Sequence, residues 1–245
     1  MKIASIRTEK LVPGKKTLIE VLDESVQSFP EKSVLAITSK IVSICEGSVV
    51  PVEGTDKDKL IISQADQYLP RSSNRYEIML TITRGLLAPA GGIDESNGKG
   101  LYILWPKDPH TTANEVRAYL KKRFKVKYAG VIITDSKTTP LRWGTTGVAL
   151  SHSGFLALKN YIGTPDIFNR NLKMTKSNIL DALAVSSVLV MGEGNEQTPL
   201  AIIEDLPFVE FQDRNPTQKE IEDEKISIED DLYAPLLTAV NWKKK

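Results

Sequence analysis

The chain has 245 residues, 41% hydrophobic and 26% charged, with a formal net charge of +1. This is ordinary globular composition on a chain long enough to bury a real core, and the charge gives no reason to expect nucleic acid or an anionic membrane as partner. Cys45 is the only cysteine, which excludes an internal disulfide and a cysteine zinc site, and His110 and His152 match no zinc spacing. No signal-peptide core follows Met1 and no window approaches the roughly 18 apolar residues of a membrane span, which points to a cytoplasmic protein.

The predicted elements begin with a strand over 3–9, closed by the Pro13-Gly14 turn. Thr17-Leu18-Ile19-Glu20 has capping-box form, and Leu18, Val21, Leu22, Val26 and Phe29 recur at helical spacing up to Pro30. A second strand over 33–38 runs into Ser39-Lys40, residues able to touch a phosphate; a helix cap with a solvated lysine is the plainer account of the same pair. A short strand over 49–52, a helix over 60–68 and a strand over 76–83 follow, the last broken by Gly85. Residues 88–97 are small and polar. The glycines before Asp94 permit close backbone approach, and Asp94 and Asn97 suit a metal and a polar ligand edge.

A strand over 101–104 leads into an amphipathic helix over 110–125, capped in this reading by Thr112-Ala113-Asn114-Glu115, with Val116, Leu120 and Phe124 inward. His110 reads as a surface residue. Val131-Ile132-Ile133 reads as a buried strand ending on Thr134, Asp135 and Ser136. A carboxylate beside a hydroxyl there suits a hard metal or a phosphate, although the same residues are ordinary turn formers.

A strand over 148–150 ends on the polar residues 151–154. An irregular connection over 161–170 precedes a helix capped by Thr175 or Ser177, with Ile179, Leu180, Leu183, Ala184, Val188 and Leu189 inward. The glycine-rich loop 191–198 and a strand over 200–203 complete the core. From 207 the composition turns acidic, so the chain divides into a main region, 1–206, and a partner-facing or dimer-clasping extension, 207–245. Strands and helices mix without strict alternation, which favours an α+β fold over a doubly wound sheet.

No phosphate-binding P-loop, dinucleotide fingerprint, hydrolase elbow or H-E-x-x-H helix is present. What remains is an acidic set, Asp94, Asp135 and Glu193, each in a small or polar segment. Oxygen ligands without Cys or His suit magnesium or manganese, which commonly bind substrate phosphates, so a nucleotide is the simplest substrate.

Gly92-Ile93-Asp94-Glu95-Ser96-Asn97, Gly130-Val131-Ile132-Ile133-Thr134-Asp135-Ser136 and Met191-Gly192-Glu193-Gly194 occur in that order, with Ser39-Lys40-Ile41-Val42-Ser43 and Glu46-Gly47 before them. This ordered set resembles the coenzyme F420 gamma-glutamyl ligases, which extend a deazaflavin cofactor with glutamate. The resemblance implies an α+β fold of mixed, largely antiparallel sheets with packed helices, in an intertwined homodimer. It implies GTP as co-substrate and two divalent ions, Mg2+ or Mn2+. Asp94 and Asp135 would hold one ion, Ser136 with Glu193 the other, the three carboxylates forming the catalytic set. Ser39, Lys40, Asn97 and, from the loop, Met191, Gly192, Gly194, Asn195 and Thr198 would contact the nucleotide.

The activity so implied is amide formation between a small-molecule carboxylate, activated as an acyl phosphate, and an amino acid, L-glutamate in the family. A nucleotide- or cofactor-binding paralogue without catalysis is the alternative. Two departures bear on the substrate. Ile44 and Cys45 stand where the family has a lysine, and Thr139 where it has an arginine suited to bidentate binding of phosphate or carboxylate. The expectation is a member whose acceptor differs from the deazaflavin cofactor.

Overall fold

The computed structural model describes residues 1–245. β1 (Lys2–Ile6) leads through the Pro13-Gly14 turn to α1 (Leu18–Ser25), whose N-terminus is closed by the expected capping box: Thr17 Oγ1 accepts from the Glu20 amide, and Glu20 reaches back to Thr17. The helix stops at Ser25, well before Pro30, yet Val26 and Phe29 still reach the core from extended backbone. β2 (Ser33–Thr38) occupies the predicted strand and passes directly into α2 (Ser39–Glu46), ended by Gly47 at φ +77°. β3 (Val49–Pro51), α3 (Lys57–Gln64), β4 (Gln67–Tyr68), the hairpin β5 (Leu80–Thr83) and β6 (Leu86–Pro89), and β7 (Leu101–Ile103) follow.

α4 (Pro109–Phe124) begins earlier than its sequence suggests. Asp108 is the cap, accepting from the Thr111 amide at 3.0 Å, and Pro109 fills the first position, where no N–H is needed. β8 (Ala129–Thr138) and β9 (Thr145–Ser153) form a long hairpin. β8 therefore runs through Asp135 and Ser136 rather than stopping at them, with a register irregularity between Ile133 and Thr134. Residues 151–153, expected as a polar strand end, are buried inside β9. There Ser151 donates to the Pro109 carbonyl at 2.7 Å and Ser153 to Asn114 at 2.8 Å, which satisfies the hydroxyls.

β10 (Leu158–Asn160) and β11 (Lys176–Asn178) flank the irregular excursion, and α5 (Ile179–Met191) is capped by Asn178 rather than Thr175 or Ser177. Leu183 and Ala184 face the core as predicted, but Leu189 is 81% exposed on the outer face of α5. β12 (Leu200–Glu204) precedes the extension, which holds α6 (Gln218–Asp223), α7 (Ala234–Leu237) and β13 (Lys243–Lys244).

The architecture is mixed α+β, and its main sheet has the order β1-β12-β2-β8-β9. β2 and β8 are the single parallel pair in the molecule; every other ladder is antiparallel. Both faces of the sheet are covered, which is why its central strands read as unbroken apolar runs. Leu35, Ile37, Val131 and Ile133 point to the side of α1, α2 and α4, while Val34, Ile132 and Ile203 meet Leu183 and Ala184 of α5. The crossover that any parallel pair requires carries α2, strands β4, β5 and β6 of the small sheet, and α4. The carboxyl end of β2 thus lies beside residue Thr134 of β8, and β8 runs on from there toward β6.

The extension packs back along this body. Asn215 accepts from the buried Arg117 guanidinium at 2.8 Å, Glu224 Oε1 lies 3.1 Å from Nδ1 of the buried His152, and β13 pairs with β4. No helix is long and apolar enough to cross a membrane.

Candidate functional site

Asp94 and Asp135 line one cavity of ≈ 180 Å³, with Ser136 and Lys137 on its polar side and Leu86 to Pro89 of β6 on its apolar side. Asp135 reaches it from β8, paired in register with Val148. Its Oδ2 accepts the indole N–H of Trp105. Burial pushes the Asp135 carboxyl up to about 6, with the Asp94 charge adding to the rise; the Trp105 and Ser136 N–H groups oppose it. Asp94 arrives from the segment after β6 and bridges to Ile103 of β7. Burial alone would raise its carboxyl too. Here the Lys40 ammonium 2.6 Å from Oδ2 and the Ser96 amide 2.6 Å from Oδ1 prevail, and the group sits below the usual range.

α2 supplies Lys40, whose Nζ also donates to the Ser96 carbonyl at 3.2 Å and hydroxyl at 3.0 Å. It is neither a solvated lysine nor a free cation. Ser39, next to it, is buried at the head of α2.

The second group forms where β8 meets the loop after α5. Ser136 Oγ donates to Glu193 Oε2 at 3.2 Å, and Asn97 Nδ2 donates to the Gly194 carbonyl at 3.2 Å, which ties the loop to the Asp94 segment. Gly192 turns the chain at φ +81°, and a Cβ there would strike the Glu196 carboxylate, which instead folds back to accept from the Gly194 amide at 2.8 Å. Thr198 Oγ1 closes the loop on the Met191 carbonyl at 2.6 Å. Met191 itself is a core residue packed with Ala36, Val188 and Ala201, so its side chain is turned away from the loop. Asn195 lies exposed on the same loop.

The three carboxylates do not form one cage: no group of three or more His, Cys, Asp or Glu side chains is placed to hold a metal. What the fold brings together is two pairs, Asp94 with Asp135 across one cavity and Ser136 with Glu193 beside it. These are oxygen donors. Burial first and then the Asp94 charge make the Asp135 carboxylate costly to ionise, and a divalent cation between the two would offset both. Magnesium and manganese need few protein ligands and keep waters, so the donor set fits them.

At the positions that depart from the family pattern, Ile44 is buried in α2 and Thr139 is exposed in the β8–β9 turn. Cys45 lines a second cavity of ≈ 290 Å³ with Lys10, Lys15 and Lys16. Burial first, then the Glu20 and Glu46 charges, push its thiol up to about 11, so it is no ready nucleophile. Trp105 is the site residue that sequence reasoning missed. A tryptophan before a proline at a strand exit carries no chemical signature, and only the tertiary fold sets it against Asp135.

Residues 5–205 match the family model described as F420-0:Gamma-glutamyl ligase, and the chain belongs to that ligase family. Among similar proteins, the coenzyme F420:L-glutamate ligase of Methanopyrus kandleri is 32% identical over 224 residues, 84% of this chain and 87% of that protein. Those of Methanocaldococcus jannaschii (32% over 227 residues, 82% and 88%) and Methanococcus maripaludis strain C7 (34% over 211 residues, 78% and 84%) match comparably.

Proposed function

We propose that the chain is an acid–amino-acid ligase that uses a nucleoside triphosphate, GTP in this reading, to activate a small-molecule carboxylate and join it to L-glutamate. The observation that carries the reading is the convergence of Asp94 with Asp135 and Ser136 with Glu193 at the carboxyl ends of β2 and β8. Family membership and the names of the relatives support glutamate as the amine.

Bound magnesium or manganese, two ions in this reading, supplies neutralisation of the triphosphate and of charge developing on the transferred phosphoryl group. Asp94 and Asp135 would hold one ion, Ser136 and Glu193 the other. Thr38 makes no side-chain cap, which leaves the first-turn amides of α2, at Ser39 and Lys40, for a phosphate oxygen. Asn97 and the main chain around Met191, Gly192, Gly194, Asn195 and Thr198 would border the nucleotide. No protein nucleophile is needed. The substrate carboxylate attacks the γ-phosphorus, the nucleoside diphosphate leaves, and the glutamate amine then displaces inorganic phosphate from the acyl phosphate. The apolar wall of β6 would keep water from that intermediate.

The reading includes a homodimer. Leu141 and Trp143 at the β8–β9 turn, Ile167 and Phe168 in the excursion after β10, and Leu189 on α5 are large, apolar and uncovered within one chain. A monomer in sedimentation at micromolar concentration would remove this part. Thr139, in place of an arginine, favours an acceptor other than the deazaflavin cofactor. The alternative, a binding paralogue without catalysis, draws on the hold of Lys40 on Asp94 and on the missing cations at Ile44 and Thr139.

The deciding assay supplies GTP or ATP, manganese, glutamate and a panel of acceptor carboxylates, and follows phosphate release and product mass. Absence of acceptor-dependent turnover with either nucleotide would sink the ligase reading. Asp135→Asn should abolish stabilisation by GTP plus metal while the apo protein unfolds nearly as wild type does. Unchanged stabilisation in that variant would mean the site is misplaced.

A further inference from the structure

We infer that Trp105 is a positioning residue of this site: its indole N–H fixes the Asp135 carboxylate and so sets the affinity for the divalent cation. The inference rests on the metal reading above. Its geometry stands independently of that reading.

Trp105 is 5% exposed, and its Nε1 donates to Asp135 Oδ2 while the ring forms part of the cavity wall. An indole has one donor and no acceptor, so when buried it must spend that donor on a partner or lose a hydrogen bond. The partner here is the carboxylate on β8, which commits one of its oxygens and fixes its plane. The arrangement is built from several sides. Gly92 runs against the indole at φ +74°, and any Cβ there would overlap the ring. The residues flanking Trp105 are pinned in turn: the Leu104 amide donates to the Ser48 carbonyl at 3.0 Å, Arg84 Nη1 to the Pro106 carbonyl at 2.7 Å, and the Lys107 amide to Glu46 Oε1 at 2.7 Å. A ring held this rigidly restricts how the carboxylate can turn. Outer partners of metal-binding carboxylates commonly govern affinity by about 10–100-fold through such restriction.

The test uses the full chain. Three tryptophans, Trp105, Trp143 and Trp242, give three indole N–H resonances in 15N-edited NMR. Without metal, the Trp105 resonance should be shifted downfield and protected from solvent exchange, and it should move in Asp135→Asn while the other two stay. A resonance indifferent to that substitution would overturn the inference whatever the metal does. Trp105→Phe keeps an aromatic ring at the position but removes the donor together with the pyrrole part of the indole, which leaves a small void in the cavity wall. It should lower the Tm somewhat through that void and, in the folded protein, weaken Mn2+ binding, read from the EPR signal of free manganese, by about 10–100-fold. Wild-type affinity in Trp105→Phe would also refute the role. If wild type itself binds no Mn2+, the metal reading falls and takes the affinity half of this inference with it. The indole shift still decides the contact.

Discussion

Gly147→Ala tests how the site is held together. Gly147 sits opposite Ser136 in the β8–β9 ladder, and α5 crosses directly over it. A Cβ built there would lie 2.5 Å from the Ala184 carbonyl oxygen and 2.8 Å from the Val185 Cα, both backbone atoms of α5. Ordinary carbon–oxygen contacts begin near ~3.3 Å, so the helix must retreat by roughly 0.8 Å. Backbone φ at Gly147 is not in the left-handed region, so alanine adds no conformational strain and by itself would gain about 0.4–1 kcal/mol through the unfolded state. Overpacking of this kind costs about 1–3 kcal/mol, and the net expectation is a loss of about 0.5–2 kcal/mol. For a chain of this size that lowers Tm by about 1–8 °C. Because α5 carries the loop with Glu193, the same retreat pulls Glu193 from Ser136 and should weaken metal-dependent nucleotide binding further than the Tm change alone explains. Differential scanning calorimetry measures the first effect, with the exposed Thr145→Ala on the same strand as control, and titration calorimetry the second. A Tm equal to or above wild type in Gly147→Ala would refute the packing of α5 on β9.

Three further expectations follow from particular contacts. Lys40→Met removes a cation proposed to contact a nucleotide phosphate, and loss of a charged hydrogen bond of about 1.5–3 kcal/mol to it should weaken nucleotide binding by about 10–150-fold; unaltered affinity would limit Lys40 to its bond with Asp94. The Arg214 hydrogen bond, reinforced by Thr217, lowers the Glu220 carboxyl from its usual 4.5 to about 2. Its folded-state pKa lies below its unfolded one, so its stabilisation is full above about 4.5 and fades as pH falls through about 2. Wild type and Glu220→Gln should therefore differ in Tm at neutral pH and converge near pH 2; a gap that persists there contradicts the ion pair. His152→Leu removes the buried imidazole whose Nδ1 lies 3.1 Å from Glu224 and should loosen the extension there, speeding tryptic cleavage at Lys219 or Lys225. Cleavage at the wild-type rate would show that the extension is not anchored there.

By itself the sequence determined the elements whose signals are local. The capping box at Thr17, the strand 33–38, the buried apolar run Val131 to Ile133 and the amphipathic spacing of Val116 and Leu120 are all satisfied by residues a few positions apart, and the folded chain keeps them. The order of the oxygen-bearing segments was legible as well, and with it the family. Where two local signals competed, tertiary structure chose. Asp108 capped α4 because Pro109 already suited its first turn, and β8 continued through Asp135 because β9 supplied a partner strand. Leu189 matched the helical stripe of α5, yet it lies on the face turned from the sheet, which spacing alone does not orient.

Only the tertiary structure decided how Asp94, Asp135, Ser136 and Glu193 associate. The chain separates Asp94, the adjacent Asp135 and Ser136, and Glu193 by dozens of residues, and the parallel pairing of β2 with β8 fixes where the Asp135 segment emerges. The same long crossover brings Trp105 to Asp135 and Lys40 to Asp94. Hydrogen bonds between such distant residues exist only once the sheet is assembled, because nothing local brings their donors and acceptors within reach.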